Sequence, residues 1–345
     1  MKLVEFIKSY SIRKMINCKL ASRDDIDIDL WGKKFRSWIP FKDERLEELL
    51  EEFLSCELEW IQGRVSRKNQ LSPLLICVVR NDISRIKKFM DYYRSLGIEQ
   101  FIFVDNDSTD GTFELLCDQS DAIIYRSKQK YSSTRRIAWI NKILSIYGIG
   151  NWYLVVDSDE FITYIGAEKN SIQDMVQTAM DRGYDRVEGF LVDMYPVGQP
   201  FCSNDFMKEN CWFDTNSYDL TECELGCVIT GGPRKRIFNK VYALSKYPLF
   251  YFDERTFLPD SHYLLPVKKV PIALAMCHYK FVDSVDYDKM KDAVISGQYS
   301  NNSADYKSYL EKFEQGNISF YSNEHSAEMI NSSCLSKIDF IESFF

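Results

Sequence analysis

Four times along the chain a short apolar run stops abruptly at polar or charged residues. Leu74–Val79 ends at Arg80-Asn81-Asp82, and residues 101–104 end at Asp105-Asn106-Asp107. Residues 153–156 end at Asp157-Ser158-Asp159-Glu160, and 273–277 end at His278. Continuous apolar runs this short, the first three rich in β-branched and aromatic residues, read as strands buried on both faces. Between them the apolar period lengthens. Ile86, Phe89, Met90, Tyr93 and Leu96 share one helical face that begins near Ser84 and stops at Gly97. A short helix over Thr112–Cys117, a strand over 122–125 and a helix from Ser132 or Ser133 to Tyr147 continue the alternation. Strands and helices taking turns predict an α/β fold with a mostly parallel, doubly wound sheet.

Outside this stretch the pattern is less regular. Leu46, Leu49, Leu50, Phe53, Leu54 and Leu58 recur at helical spacing and predict a helix over 43–61. It follows an acidic patch (Asp24, Asp25, Asp27, Asp29) and the aromatic residues Trp31, Phe35 and Trp38. Residues 187–195 read as a strand carrying Asp193 near its end, and 197–226 as a long aromatic loop. The expected organisation is an N-terminal helical extension over 1–72, a central unit over 73–283 divided near 165, and a C-terminal helical tail over 284–345.

Composition narrows the function. The 345 residues are 45% hydrophobic, ample for a sizeable core, and the net charge of −8 argues against a nucleic-acid binder. No apolar run approaches the roughly 18 residues of a spanning helix, and charges interrupt the N-terminal apolar stretch as they would not in a signal peptide. A cytoplasmic setting is expected. Of ten cysteines only Cys202, Cys211, Cys223 and Cys227 cluster, without a C-x-x-C pair, so zinc there is the lesser expectation.

The strand ends carry the chemistry. In an open α/β sheet the carboxyl ends of parallel strands face one edge, so Arg80/Asp82, Asp105/Asp107 and Asp157/Asp159 can converge on one ligand. In extended geometry Asp157 and Asp159 share a face, roughly 6.5 Å apart. Such a pair suits a hard divalent ion held together with substrate phosphates. Arg135 or Arg136, at a helix start, adds charge for phosphate.

At these residues the chain resembles family-2 glycosyltransferases of the glycosyltransferase-A fold, in particular the bacterial type acting on cell-surface polysaccharides. The resemblance rests on V-V-R-N-D at 78–82, V-D-N-D-S-T-D-G-T at 104–112 and W-Y-L-V-V-D-S-D-E-F at 152–161. It continues through L-V-D-M-Y at 191–195, G-G-P-R-K-R-I-F at 231–238, S-K-Y-P-L at 245–249, S-H-Y at 261–263, H-Y-K-F at 278–281 and G-Q-Y at 297–299. It spans roughly 73–310, and Asp82 stands where relatives often carry Glu. The resemblance implies a sugar transferase taking a nucleoside-diphosphate sugar and a glycan or lipid-linked oligosaccharide acceptor, with Mn²⁺ or Mg²⁺. It places Asp105 near the base or ribose, makes Asp157 and Asp159 the D-x-D, and puts a metal-contacting histidine late in the domain at His278. Arg80, Asp82, Asp107 and Arg135 complete the expected donor-binding set. An inverting transfer needs a carboxylate base, for which Asp193 and Asp260 stand ahead of Asp214.

Other readings remain open. Residues 101–109 also fit the hydrophobic-strand and D-x-D-x-T signature of haloacid-dehalogenase-like phosphatases, with Asp105 as nucleophile and Asp107 as acid/base. A non-catalytic glycan-binding protein of the same fold is a second alternative. A Ca²⁺ loop counted from Asn106 fails, because Cys117 stands where a bidentate Glu is needed. Near the N-terminus Leu3, Val4, Phe6, Ile7, Ile12, Met15, Ile16 and Leu20 recur at helical spacing among Lys2, Lys8, Arg13, Lys14 and Lys19. That face either rests peripherally on the inner surface of a membrane or packs on the central unit.

Overall fold

The computed structural model describes residues 2–21, 25–41, 44–223, 226–297, 304–316 and 318–345, without the side chains of 2–9, 223 and 226. Three helices come first: α1 (Lys2–Leu20), α2 (Ile28–Trp38) and α3 (Arg45–Leu54). Then follow β1 (Glu59–Gln62), β2 (Leu74–Val79), α4 (Ile83–Ser95), β3 (Gln100–Asp105), α5 (Thr112–Cys117), β4 (Ala122–Arg126) and α6 (Ser133–Tyr147). The middle of the chain forms β5 (Asn151–Val155), β6 (Glu160–Thr163), α7 (Ile172–Asp181), β7 (Arg186–Asp193), α8 (Phe206–Glu209) and β8 (Trp212–Asp214). It closes with β9 (Tyr218–Cys223), β10 (Gly226–Gly231), α9 (Gly232–Phe238), β11 (Ser245–Phe252), β12 (Ile272–His278), α10 (Ser284–Ser296), α11 (Ala304–Glu314) and β13 (Ser326–Glu328).

Nine strands form one sheet in the order β1-β4-β3-β2-β5-β11-β7-β12-β6. The block β4-β3-β2-β5 is parallel, as is β7 with β12. The junctions β1–β4, β5–β11, β11–β7 and β12–β6 are antiparallel. The sheet is therefore mixed, with a partly parallel core, and not mostly parallel as expected. The reason lies in β11, which runs between the two parallel blocks in the opposite direction. Pro248 within it argues against a central strand, because proline donates no ladder hydrogen bond. The strand accommodates it at an irregularity between Lys246 and Leu249.

Both faces of the sheet are covered, which explains the unbroken apolar runs. Along β2, Leu75, Cys77 and Val79 enter one core with Phe89, Tyr93 and Met175, from α4 and α7. Leu74 and Ile76 enter the other with Trp31, Phe35, Leu49, Phe53 and Trp139, from α2, α3 and α6. The N-terminal helices thus join α6 in covering one face of the sheet, and β1 extends the sheet itself. Ile16 and Leu20 are fully buried there, with Ile12 and Met15 packed beside them. The packing alternative describes that half of α1, while the side chains of Leu3, Val4, Phe6 and Ile7 lie outside the described residues. Asp24 and Gln298-Tyr299 lie outside them as well.

The helix expected over 43–61 ends at Leu54, and Glu59–Gln62 instead adds antiparallel to β4. The stretch 197–226 is not one loop. It forms α8, the β8 strand that pairs with β13, and most of the β9–β10 hairpin. A third apolar cluster joins Phe238, Phe281, Tyr309, Leu310 and Phe320, fixing the C-terminal helices onto the sheet edge. No helix among the described residues is long and apolar enough to cross a membrane.

Candidate functional site

The carboxyl ends of β2, β5, β7 and β12 and the amino end of β11 meet at one edge, around a cavity of about 390 Å³. The Asp157–Glu160 segment is laid across that edge. After β5 the chain must reach β6, on the opposite border of the sheet, so it crosses the ends of the intervening strands. The crossing is a turn and not an extension of the strand: Glu160 N–H donates to the Asp157 carbonyl at 3.0 Å. The Glu160 carboxylate folds back to accept from Asp157 N–H at 3.1 Å. Carboxylate oxygens of Asp157, Asp159 and Glu160 consequently lie within 4.8 Å of one another.

Strand register brings the next residues alongside. His278, the last residue of β12, pairs with Asp193 on β7 and with Glu160 on β6. Its Nδ1–H donates to Asp193 Oδ1 at 2.6 Å, and its Nε2 lies 3.3 Å from Asp159 Oδ2. Asp193 Oδ2 in turn accepts from Arg234 Nε at 2.7 Å. Arg234 arrives through Gly231-Gly232, both at positive φ. A Cβ on Gly231 would stand 2.3 Å from the Ser217 carbonyl, so only glycine lets α9 start this close to β9.

Buried bases hold two of the clustered carboxylates. Arg136 donates to Asp157 Oδ1 from Nε at 2.9 Å and from Nη2 at 2.5 Å. Lys246 on β11 is bound to Glu160 and lies 3.6 Å from Asp157 Oδ2. Burial pushes the Asp157 carboxyl up, but Arg136 and Lys246 outweigh it and leave it below the usual range. Asp159 is held well below that range, since His278 and Arg85 overcome its burial. For Asp193 burial is again overcome, by Arg234 and His278, and its pKa falls to about 2. His278 is raised despite burial, by Asp159 and Asp193. His262 also faces the cavity. Its Nδ1–H donates to the Ser245 carbonyl at 2.9 Å, and burial beside Lys246 lowers its pKa.

The structure brings Arg80, Asp157, Asp159 and His278 together in this cavity. It places the other expected residues elsewhere. Asp105 has a fully buried side chain, with Oδ1 accepting from Ser108 N–H at 3.1 Å and Oδ2 unpartnered. It lies behind the wall that Asn106 presents, and a nucleophile without accessible surface does not suit the phosphatase alternative. Asp107 is tied to Arg126 at 2.9 Å. Asp82, at the start of α4, is buried and paired with Lys289 at 2.7 Å. Arg135 forms a two-pronged pair with Glu52 at 2.6 and 2.8 Å, locking α6 to α3, and its neighbour Arg136 is the one that faces the cavity.

Neither expected base is placed for that work. Asp193 has both oxygens engaged and a depressed pKa, which makes it a poor proton acceptor. Asp260 accepts from Arg45 at 2.5 Å and from His262 N–H at 2.9 Å, outside the cavity lining. The described members of the cysteine cluster, Cys202, Cys211 and Cys227, form no metal-ligand group, and Cys223 lies outside the described side chains.

Several lining residues were not anticipated from sequence. Arg85 and Asp286 form a buried pair at 2.5 Å between α4 and α10, and Lys289, Met290 and Tyr306 come from the C-terminal helices. The polar look of 284–345 hid this role. The only local signal for Lys246 and Arg234 was their place in the S-K-Y-P-L and G-G-P-R-K-R segments.

The donor set fits a hard divalent cation: three clustered carboxylates with an imidazole beside one of them, and no thiolate. No sequence-family profile matches the chain, and no curated protein is similar to it. Among solved structures it is similar to HddC from Yersinia pseudotuberculosis, at 11% identity over 62% of this chain and 96% of that one, with a TM-score of 0.28. That superposition is too loose to transfer any residue or activity.

Proposed function

We propose that the cavity binds a nucleoside-diphosphate sugar together with Mn²⁺ or Mg²⁺ and transfers the sugar to a hydroxyl of a glycan or glycolipid. The supporting observation is the conjunction, in one cavity, of hard carboxylate ligands with basic side chains left over for an anion. Arg80 and Lys280 line it, and among the described residues neither has a carboxylate within ion-pair distance. A bound cation neutralises charge developing on a diphosphate leaving group. Arg80 and Lys280 offer donors to phosphate oxygens. Arg136 and Lys246 hold Asp157 and Glu160 in place, so the acidic cluster is preorganised before a ligand enters. Tyr242, Met290 and Tyr306 form an aromatic and apolar wall suited to a sugar face on the acceptor side.

The test is a thermal-shift panel of nucleoside diphosphates with and without Mn²⁺, run beside an assay on phosphate monoesters. One nucleotide raising the melting temperature only with Mn²⁺, without phosphate release from monoesters, is the expected result. Phosphatase turnover that disappears in Asp105→Asn, or the absence of any metal-dependent nucleotide effect, overturns the proposal.

A further inference from the structure

We infer that Asp193 is a positioning residue: together with Arg234 it locks the His278 ring so that Nε2 points, unprotonated, at the same cation as Asp159. This rests on the metal-dependent reading above and assigns a task to a residue first considered as a base. The first observation is geometric. His278 Nε2 and Asp159 Oδ2 are 3.3 Å apart. Two neighbouring ligand atoms of an octahedral ion with bonds of about 2.1 Å are separated by roughly 3 Å. The pair is therefore spaced as adjacent ligands.

The second observation is what stands behind the ring. Asp193 is 4% exposed, accepts from Nδ1–H at 2.6 Å, and is itself held by Arg234 Nε at 2.7 Å. A carboxylate offers only acceptors to Nδ1, so a ring proton is held there, and Nε2 is the nitrogen left to give its lone pair to a cation that enters between it and Asp159. Parallel pairing of His278 with Asp193 sets this contact through the backbone, so the ring does not swing freely. Asp157 and Glu160 are engaged by Arg136 and Lys246, which leaves Asp159 with His278 as the pair most available to a cation.

Asn at position 193 inverts the arrangement. Its carbonyl oxygen is drawn to the Arg234 guanidinium, and its amide then presents N–H to Nδ1. The ring responds by carrying its proton on Nε2, where it blocks coordination. The chain has only three histidines, so His278 is readily assigned by nitrogen-15 NMR of the imidazole rings.

The experiment measures Mn²⁺ affinity by calorimetry in wild type, Asp193→Asn, Asp159→Asn and His278→Ala, with ring tautomers read in Mg²⁺. We expect Mn²⁺ affinity to fall about 10- to 100-fold in Asp193→Asn, with an Nε2–H ring. In the His278→Ala background Asp193→Asn should have no further effect, which a merely structural role would not produce. Unchanged affinity in Asp193→Asn alongside loss in Asp159→Asn overturns the positioning role alone. Mn²⁺ binding that survives in Asp159→Asn removes the metal reading and this inference with it. If Asp193→Asn does not fold, the wild-type ring decides: Nδ1–H with Mg²⁺ bound supports the assignment, and Nε2–H overturns it.

Discussion

Two places in the chain have almost the same local sequence and opposite fates. Val104-Asp105-Asn106-Asp107 and Val156-Asp157-Ser158-Asp159 each carry two aspartates, two apart, behind a buried strand. The first pair is knitted into the protein. Strand β4 lies directly beside β3, so Asn106 Nδ2 bonds the Ser127 and Gln129 carbonyls while Arg126 reaches Asp107. The second pair stays at the cavity, because the strand after it sits across the sheet and the chain must pass over the strand ends to reach it. A D-x-D motif therefore becomes a site through the topology of the next connection and not through its own residues.

The most demanding test of this contrast sets Asp159→Asn against Asp105→Asn. Asp159→Asn should cut sugar-nucleotide turnover by orders of magnitude and remove its dependence on Mn²⁺, with the fold retained. Asp105→Asn should leave turnover within about threefold, since its side chain is fully buried and does not line the cavity. Burial raises the Asp105 carboxyl, so a neutral amide is tolerated there. Equal losses in the two variants would break the comparison.

Next in size is the buried pair that ties the C-terminal helices to the cavity. Arg85→Met leaves Asp286 buried without its base. Loss of one partner of such a pair costs about 3–5 kcal/mol, readable by urea denaturation. A change below about 1 kcal/mol, the range of surface ion pairs, would mean that α10 is not anchored through this contact.

A third test compares two carboxylates on the same strand, β7. Asp193 has a base and is held at about 2, whereas burial pushes Glu188, bonded only to the Tyr247 hydroxyl, up to about 7. A raised carboxyl binds its proton more tightly in the folded state. Glu188 thus contributes stability fully present below its unfolded value of 4.5, which declines as pH rises towards 7. The amount is about 3 kcal/mol. Asp193, with a depressed pKa, contributes stability above pH 3.8 that is lost as pH falls towards 2. In Glu188→Gln the decline between pH 4.5 and 7 should vanish from a denaturation series. A wild-type curve that is already flat over that window would show that Glu188 stays charged.

Much of the fold was legible because burial on both faces leaves a local trace. The runs at 74–79, 101–104 and 153–156 carry no alternation, and the helices between them repeat at a regular period. The D-x-D was legible too, since charge directly after a buried strand requires a partner. Other features left no such trace. A proline is a poor residue for a central strand, so β11, and with it the antiparallel centre of the sheet and the position of Lys246, has no clear local signal.

The sequence by itself determined the strands and helices between Leu74 and Val155, because there periodicity and burial are properties of neighbours along the chain. It also determined that Asp157 and Asp159 stand at a strand end. Only the tertiary structure decided which charged residues meet. Arg135 and Arg136 are adjacent in sequence, yet one faces Glu52 on α3 and the other Asp157, because successive helical positions point about 100° apart. Asp193, Arg234 and His278 come from three distant segments and touch through strand register and a glycine turn. Partners brought together by register and crossing connections are set by contacts between elements, which no local window of the chain contains.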